Sequence, residues 1–265
     1  LYYLNKVMRE NSIKLGIFCT GHQLEQREFL IGFTGINQKL KNNQIMHKRK
    51  HIMLLLEWYD YRIHRGVAKI ARQCGWQLNC PKNLAADDGI LKNWKGDGCI
   101  ALLENDKTLE HFRNLNISLI DLGLRNHMLK IPRIITDNHE IGRLAAEHFR
   151  DFGYREIFVV DHGGNAMYRE RLNGLTKNIE QEGGTVTTLK SSTNIQHELI
   201  DELMQIAKDR GHELHEMSIG FFAYQDTMAS EMISLCLRHE LRVPENVAVL
   251  GVDNDDLINS GLSRG

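Results

Sequence analysis

Four clusters of polar side chains each stand directly after an apolar run in this sequence. Trp58, Tyr59, Asp60 and Arg62 follow the run His51–Glu57, and Asp161-His162 follows Glu156–Val160. Gln225-Asp226 closes the run that begins at Ser218, and Asp253-Asn254 closes Val247–Val252. Arg169 and Arg171 come just after the second cluster, inside the next helical segment. Carboxylates and guanidinium forks beside aromatic faces are what a neutral polyol requires. The charged groups take paired hydroxyls through charge-assisted hydrogen bonds, while an aromatic ring covers the C–H face of a sugar ring. Each cluster also has a plainer reading. Asp226 sits where a helix begins and serves equally as an N-cap, and Asp137 with Glu140 three residues on has capping-box spacing. Trp58 and Tyr59 suit an aromatic core, Arg171 suits a solvated helix face, and Asp253 suits a turn.

The elements that must position these groups alternate regularly. The apolar runs His51–Glu57 and Val247–Val252 read as buried parallel strands, and further strands are expected at Trp76–Cys80, Gly98–Leu103, Ile117–Leu122, Arg133–Thr136, Glu156–Asp161, Thr185–Leu189 and Ser218–Tyr224. Between them lie helical patterns: one with Ile63, Val67, Ile70 and Ala71 on one face, short ones at 88–94 and 107–115, and longer ones at 138–152, 169–182, 195–210 and 227–239. Strands alternating with helices at this rhythm imply right-handed crossovers and parallel sheets covered on both faces. So many strands exceed one doubly wound sheet. The expected arrangement is therefore two α/β lobes, residues 46–153 and 154–253, with residues 254–265 starting a crossover back to the first lobe. Ligands of open α/β sheets bind outside the carboxyl ends of the strands, and that is where the four clusters fall.

Residues 1–45 are the least patterned part. Ile13–Cys19 suits a short strand, and no helix-turn-helix pattern is present. Met46 and the basic run His47-Lys-Arg-Lys50 precede the first strong strand, so this segment reads either as an extension upstream of the natural start or as a further βα element.

Composition narrows the function classes. With 265 residues and a net charge of -1, nothing in the bulk charge calls for nucleic acid or an anionic membrane. The first fifty residues differ, with nine Lys or Arg against three Asp or Glu. Five cysteines lack the spacing of a disulfide framework or zinc ribbon, which fits free thiols in a reducing cytoplasm. No apolar run reaches the length of a membrane span. His212 and His215 lack metal-ligand partners at zinc spacing and are expected in solvent. The glycines of Asp161–Asn165 match neither a dinucleotide fingerprint nor a phosphate loop, although a backbone anion site stays open there. There is no G-x-S-x-G elbow and no cysteine placed as a nucleophile. No catalysis, cofactor or metal is expected.

Three blocks carry a resemblance: ITDNHEIGRLAAEHF at 135–149, FGYREIF at 152–158 and VPENVAVLGVDNDD at 243–256. They resemble the sugar-binding domain of lactose- and purine-repressor-type (LacI-type) transcriptional regulators. The nearest resemblance is to xylose operon regulators, which join that domain to an arabinose-regulator-type (AraC family) DNA-binding domain at the C-terminus. It spans about residues 46–264. The resemblance implies a two-lobed, type I periplasmic-binding-protein-like fold whose lobes close on a monosaccharide, a pentose such as xylose, and shift the DNA-binding heads of a homodimer. By motif position, Arg171, Asp226 and Asp253 would contact the ligand, with the aromatic and acidic pair Tyr59 and Asp60. Arg62 is displaced from the family's pattern by Tyr61. The resemblance further implies that the chain is truncated after Gly265, with the last first-lobe elements and the DNA-binding domain missing, and that DNA is bound only through that domain. A stand-alone sugar receptor without a DNA-binding role is the alternative.

Overall fold

Every residue from Ile52 to Leu56 is buried, which a strand achieves only when both faces of its sheet are covered. The computed structural model describes residues 16–18, 49–57, 59–81, 93–102, 117–123, 132–161, 166–190, 195–255 and 258. In chain order the first elements are β1 (Gly16–Phe18), β2 (His51–Leu56), α1 (Tyr61–Cys74), β3 (Gln77–Asn79), β4 (Gly98–Leu102), β5 (Ser118–Asp121) and β6 (Arg133–Ile135). They form one six-stranded sheet in the order β1-β6-β5-β4-β2-β3. All neighbours are parallel except β1, which runs antiparallel to β6 with Ile17 opposite Ile134. Gly16–Phe18 of the N-terminal segment is thus a strand of this sheet. The expected helix at 107–115 and residues 88–92 of the one at 88–94 lie outside the described residues, as does Trp58, while residues 93 and 94 are not helical.

The remaining elements are α2 (Asn138–Asp151), β7 (Glu156–Val160), α3 (Ala166–Gln181), β8 (Thr185–Leu189), α4 (Ile195–Asp209), a 3-10 turn at Leu214–Glu216, β9 (Ile219–Phe222), α5 (Asp226–Arg238) and β10 (Val247–Leu250). Their sheet is wholly parallel, in the order β10-β9-β7-β8. Its core joins Phe158, Phe221 and Phe222 of the strands to Phe149, Leu175, Leu203 and Leu235 of the helices. The α/β fold expected from the alternation is the one observed, and it separates into two compact units, Lys14–Thr136 and Asp137–Gly265.

That division corrects the expected one at Gly153. Helix α2 belongs to the second unit, because it packs along α3 and buries Ile141, Gly142, Ala145, Ala146 and Phe149, the last of them against Gly220 of β9. The two helices meet backbone to backbone. A Cβ on Gly142 would stand 2.0 Å from the Arg171 carbonyl oxygen, and one on Gly174 would stand 2.1 Å from that of His139. Only glycine permits this approach. The Gly153 that suggests a boundary merely ends α2, where its φ of 82° suits a glycine after a helix. The crossover expected after residue 253 lies largely outside the described residues.

Replacing Gly142 or Gly174 by Ala must push two backbones apart. Each change is expected to lower stability by about 1 to 3 kcal/mol, the usual effect of overpacking, measured from urea unfolding midpoints. Gly66, which lies within α1 and has open space where its Cβ would be, is the contrast. Its change to Ala is expected to leave stability unchanged or raise it by up to about 1 kcal/mol.

Candidate ligand-binding site

Arg171 is the most constrained of the predicted residues. It lies on the first half of α3, is only 3% exposed, and carries a charge that burial strongly disfavours. Its Nε donates to Asn138 Oδ1 at 3.0 Å, and its Nη1 donates to the Tyr224 carbonyl oxygen. Burial pulls its pKa down, while the Asp253 carboxylate and the Tyr168 phenol act in the opposite sense. Arg171 is therefore a buried cation held by two neutral acceptors and steadied by Asp253, and not the solvated helix residue of the plainer reading.

Around it the carboxyl ends of β9 and β10 come together. The two strands pair in register, Phe222 with Leu250, and Ala223 N–H donates to the Leu250 carbonyl at 2.8 Å. Beyond Leu250 the chain turns through Asp253 at φ 99° and Asn254 at φ 51°, both in the left-handed region. Asp226 is 2% exposed, and its Oδ2 accepts from the Asp255 backbone N–H at 2.6 Å. The helix begins one residue earlier than expected. Gln225, still extended at φ -154° and ψ 160°, is the N-cap, and Asp226 is the first helical residue. Asp226 is thus not the N-cap of the alternative reading. A carboxylate there also complements the positive end of the helix. Tyr168 stacks obliquely on Tyr224 with ring centroids 4.8 Å apart, and its hydroxyl donates to Gln225 Oε1 at 3.5 Å. Burial, with Asp161 and Tyr168 adding to it, pushes the Tyr224 phenol well above its ordinary range.

The other predicted cluster lies in the Lys14–Thr136 unit. Asp60, 8% exposed, caps α1 by accepting from the Arg62 and Ile63 backbone N–H groups at 2.7 and 3.4 Å. The Arg62 guanidinium folds back on the same carboxylate, with Nη2 to Oδ2 at 2.7 Å and Nε to Oδ1 at 3.1 Å. Burial alone would raise the Asp60 pKa. The hydrogen bonds and charge of Arg62, aided by the Ile63 N–H, outweigh it and hold the carboxyl below its ordinary range. Tyr59 is 62% exposed and bonds the His64 ring nitrogen through its hydroxyl at 3.0 Å. It is not a core aromatic.

Arg171, Asp226 and Asp253 are therefore brought to one end of one sheet, and Tyr59, Asp60 and Arg62 form a separate group in their own unit. Asn138 and Tyr168 belong beside Arg171 and escaped the sequence reading. Asn138 looked like an ordinary start to α2; it is 2% exposed, and its Nδ2 also donates to Glu170 Oε2 at 3.5 Å. Its signal was a polar residue following a strand and a capping Asp137, whose Oδ1 accepts from Glu140 N–H at 2.9 Å. His162 and the adjoining glycines lie outside the described residues. His212 and His215 are exposed, as expected. Among the described residues, four cysteines are free thiols and no group of three His, Cys, Asp or Glu side chains is placed to hold a metal. No helix among them is long and apolar enough to cross a membrane.

Parallel sheets with helices, divided into two units and carrying polar groups at strand ends, define a periplasmic-binding-protein-like α/β fold. Residues 146–264 match the family model described as the periplasmic binding protein-like domain. The xylose operon regulatory protein of Escherichia coli is 23% identical over 229 residues, covering 79% of this chain and 56% of that protein. The chain thus spans about half the length of the curated relatives of this kind. Among solved structures, a probable maltose operon transcriptional repressor from Staphylococcus aureus superposes with a TM-score of 0.64 at 16% identity, covering 80% of this chain and 81% of that one. A periplasmic binding protein/LacI transcriptional regulator from Alkaliphilus metalliredigens, complexed with D-xylulofuranose, superposes with a TM-score of 0.58 at 20% identity, covering 78% and 79%.

The lowered Asp60 pKa fixes the sign of a pH effect. A carboxyl with a depressed folded pKa contributes stability that is whole above its unfolded value, near pH 4, and is lost as pH falls through the lowered folded value. Asp60→Asn keeps an oxygen for the cap but loses the ion pair. The variant is expected to lose less stability than the parent on acidification from pH 6 to about pH 3, measured by urea unfolding at each pH.

Proposed function

We infer that this chain is the ligand-sensing part of a LacI-type transcriptional regulator and binds a monosaccharide, most specifically a pentose such as D-xylose. The observation that carries the reading is the buried Arg171 guanidinium, with the Asp253 carboxylate just beyond the carboxyl end of β10 acting on it. A guanidinium held rigid by neutral acceptors donates to sugar oxygens, and carboxylates accept from sugar hydroxyls, so the set meets both halves of a polyol's hydrogen-bonding needs. Tyr59, Asp60 and Arg62 are proposed as sugar contacts offered by their own unit, with the exposed Tyr59 ring presenting an apolar face. The pentose rests on the xylose operon regulatory relative and on the D-xylulofuranose complex of a structural neighbour.

Sugar binding would favour one conformational state of the chain and bias DNA binding by a separate domain, of AraC type if the kinship with xylose operon regulators extends that far. Such a protein works in the cytosol as a homodimer and carries out no chemistry on its ligand.

Titration calorimetry against a panel of pentoses and hexoses tests the reading. D-xylose is expected to bind with measurable heat, and a folded sample silent toward every sugar would refute sensing of this class. Asp253→Ala removes hydrogen bonds to buried hydroxyls and is expected to weaken binding by about 1.5 to 3 kcal/mol. Unchanged affinity would leave Asp253 a turn residue only.

A further inference from the structure

One carboxylate holds two pieces of chain at the end of the β10 strand. Asp226 Oδ2 accepts from Asp255 N–H at 2.6 Å, and the same carboxylate lies so close to Gly251 that a Cβ there would stand 2.5 Å from Oδ1 and 3.0 Å from the Ala229 Cβ. Between Gly251 and Asp255 the chain makes its left-handed step, with Asp253 at φ 99° and Asn254 at φ 51°. Two successive non-glycine residues do not hold this conformation without outside support. The Asp226 carboxylate supplies it from the first turn of α5, where the helix terminus favours its charge and the helix fixes its place.

We propose that Asp226 is a positioning residue, whose carboxylate clamps the Gly251–Asp255 turn and thereby sets the Asp253 carboxylate beside Arg171 for ligand. This rests on the reading of Arg171 and Asp253 as sugar contacts. Gly251 is the second half of the device, since any side chain there displaces the Asp226 carboxylate. Asp226 and Gly251 then act on affinity through Asp253 alone.

Two measurements on the full chain test this. The first needs no ligand: hydrogen exchange of the Asp255 amide, followed by NMR. The amide is expected to be protected in the parent and to lose that protection in Asp226→Ala, with Asp226→Asn, which keeps an acceptor oxygen, losing less. An Asp255 amide that exchanges freely in the parent, or is equally protected in Asp226→Ala, overturns the clamp whatever the chain binds. The second is a double-mutant cycle read by calorimetry with D-xylose. Asp226→Ala and Gly251→Ala are each expected to weaken binding about tenfold or more, yet to weaken it no further when Asp253 is already Ala. Equal losses in both backgrounds make Asp226 an independent contact and overturn the positioning role. A protected Asp255 amide with no sugar binding in the parent instead removes the sugar reading, and with it the ligand half of this proposal.

Discussion

Burying a guanidinium is the constraint on which the rest of the C-terminal unit depends. Taking such a cation out of water costs several kcal/mol even after the protein relaxes around it. Arg171 therefore has to be met by acceptors fixed before any ligand arrives. Asn138 Oδ1 comes from α2 and the Tyr224 carbonyl from the end of β9, while the Asp253 carboxylate, in the turn after β10, acts on the guanidinium through its charge. Two separate pieces of chain thus accept from one side chain, and a third adds its charge. The glycine contact between α2 and α3 makes the first possible, because Asn138 reaches Arg171 only if the two helix backbones touch. The parallel register of β9 with β10 makes the others possible, because it brings the two strand ends level.

The pair in the other unit shows what changes when burial is incomplete. Asp60 and Arg62 make a bidentate ion pair, but the Arg62 side chain is 29% exposed and lies two residues away in sequence. Its geometry needs no distant element, and solvent screens part of its charge; such pairs contribute at most about 1 kcal/mol. Asp60 also has local work as the cap of α1. The Asp60–Arg62 contact is therefore a local arrangement, set by neighbours in sequence. Arg171 is a fixed arrangement the fold has already assembled, and it carries the greater weight in any binding argument.

What was legible in the sequence follows the same distinction between local and long-range causes. Continuous apolar runs located the buried strands, since strands covered on both faces have no polar side to hide the signal, and the polar residues after them fell at the strand ends. Helix starts were legible to within one to three residues: Asp137 caps α2 as expected, α3 begins three residues before Arg169, and Gln225 holds the cap position that was one reading of Asp226. Asn138 was not legible as a partner of Arg171, because nothing in its neighbours reveals a contact made across helices, and Tyr168 gave no sign of the Tyr224 ring and Gln225 amide it meets from a distant part of the chain. The division at Gly153 failed for a related reason. A glycine ending a helix looks like a linker, whereas the glycines that decide where α2 packs, Gly142 and Gly174, sit in helix interiors and look like ordinary weak points.

The turn at Asp253 and Asn254 joins these themes. Short polar residues tolerate the left-handed region better than branched ones, and a strained step of this kind costs about 1 to 3 kcal/mol per residue and persists only when the surroundings over-determine it. Here they do: Gly251 and Val252 are buried before the step, and Asp226 binds the chain just after it. An unstrained continuation of β10 would carry the next side chains to alternate faces of the sheet. The left-handed step breaks that alternation, and Asp253 ends up facing solvent while still acting on the buried Arg171. Strain at this point is therefore coupled to an electrostatic contact that a regular strand would not make.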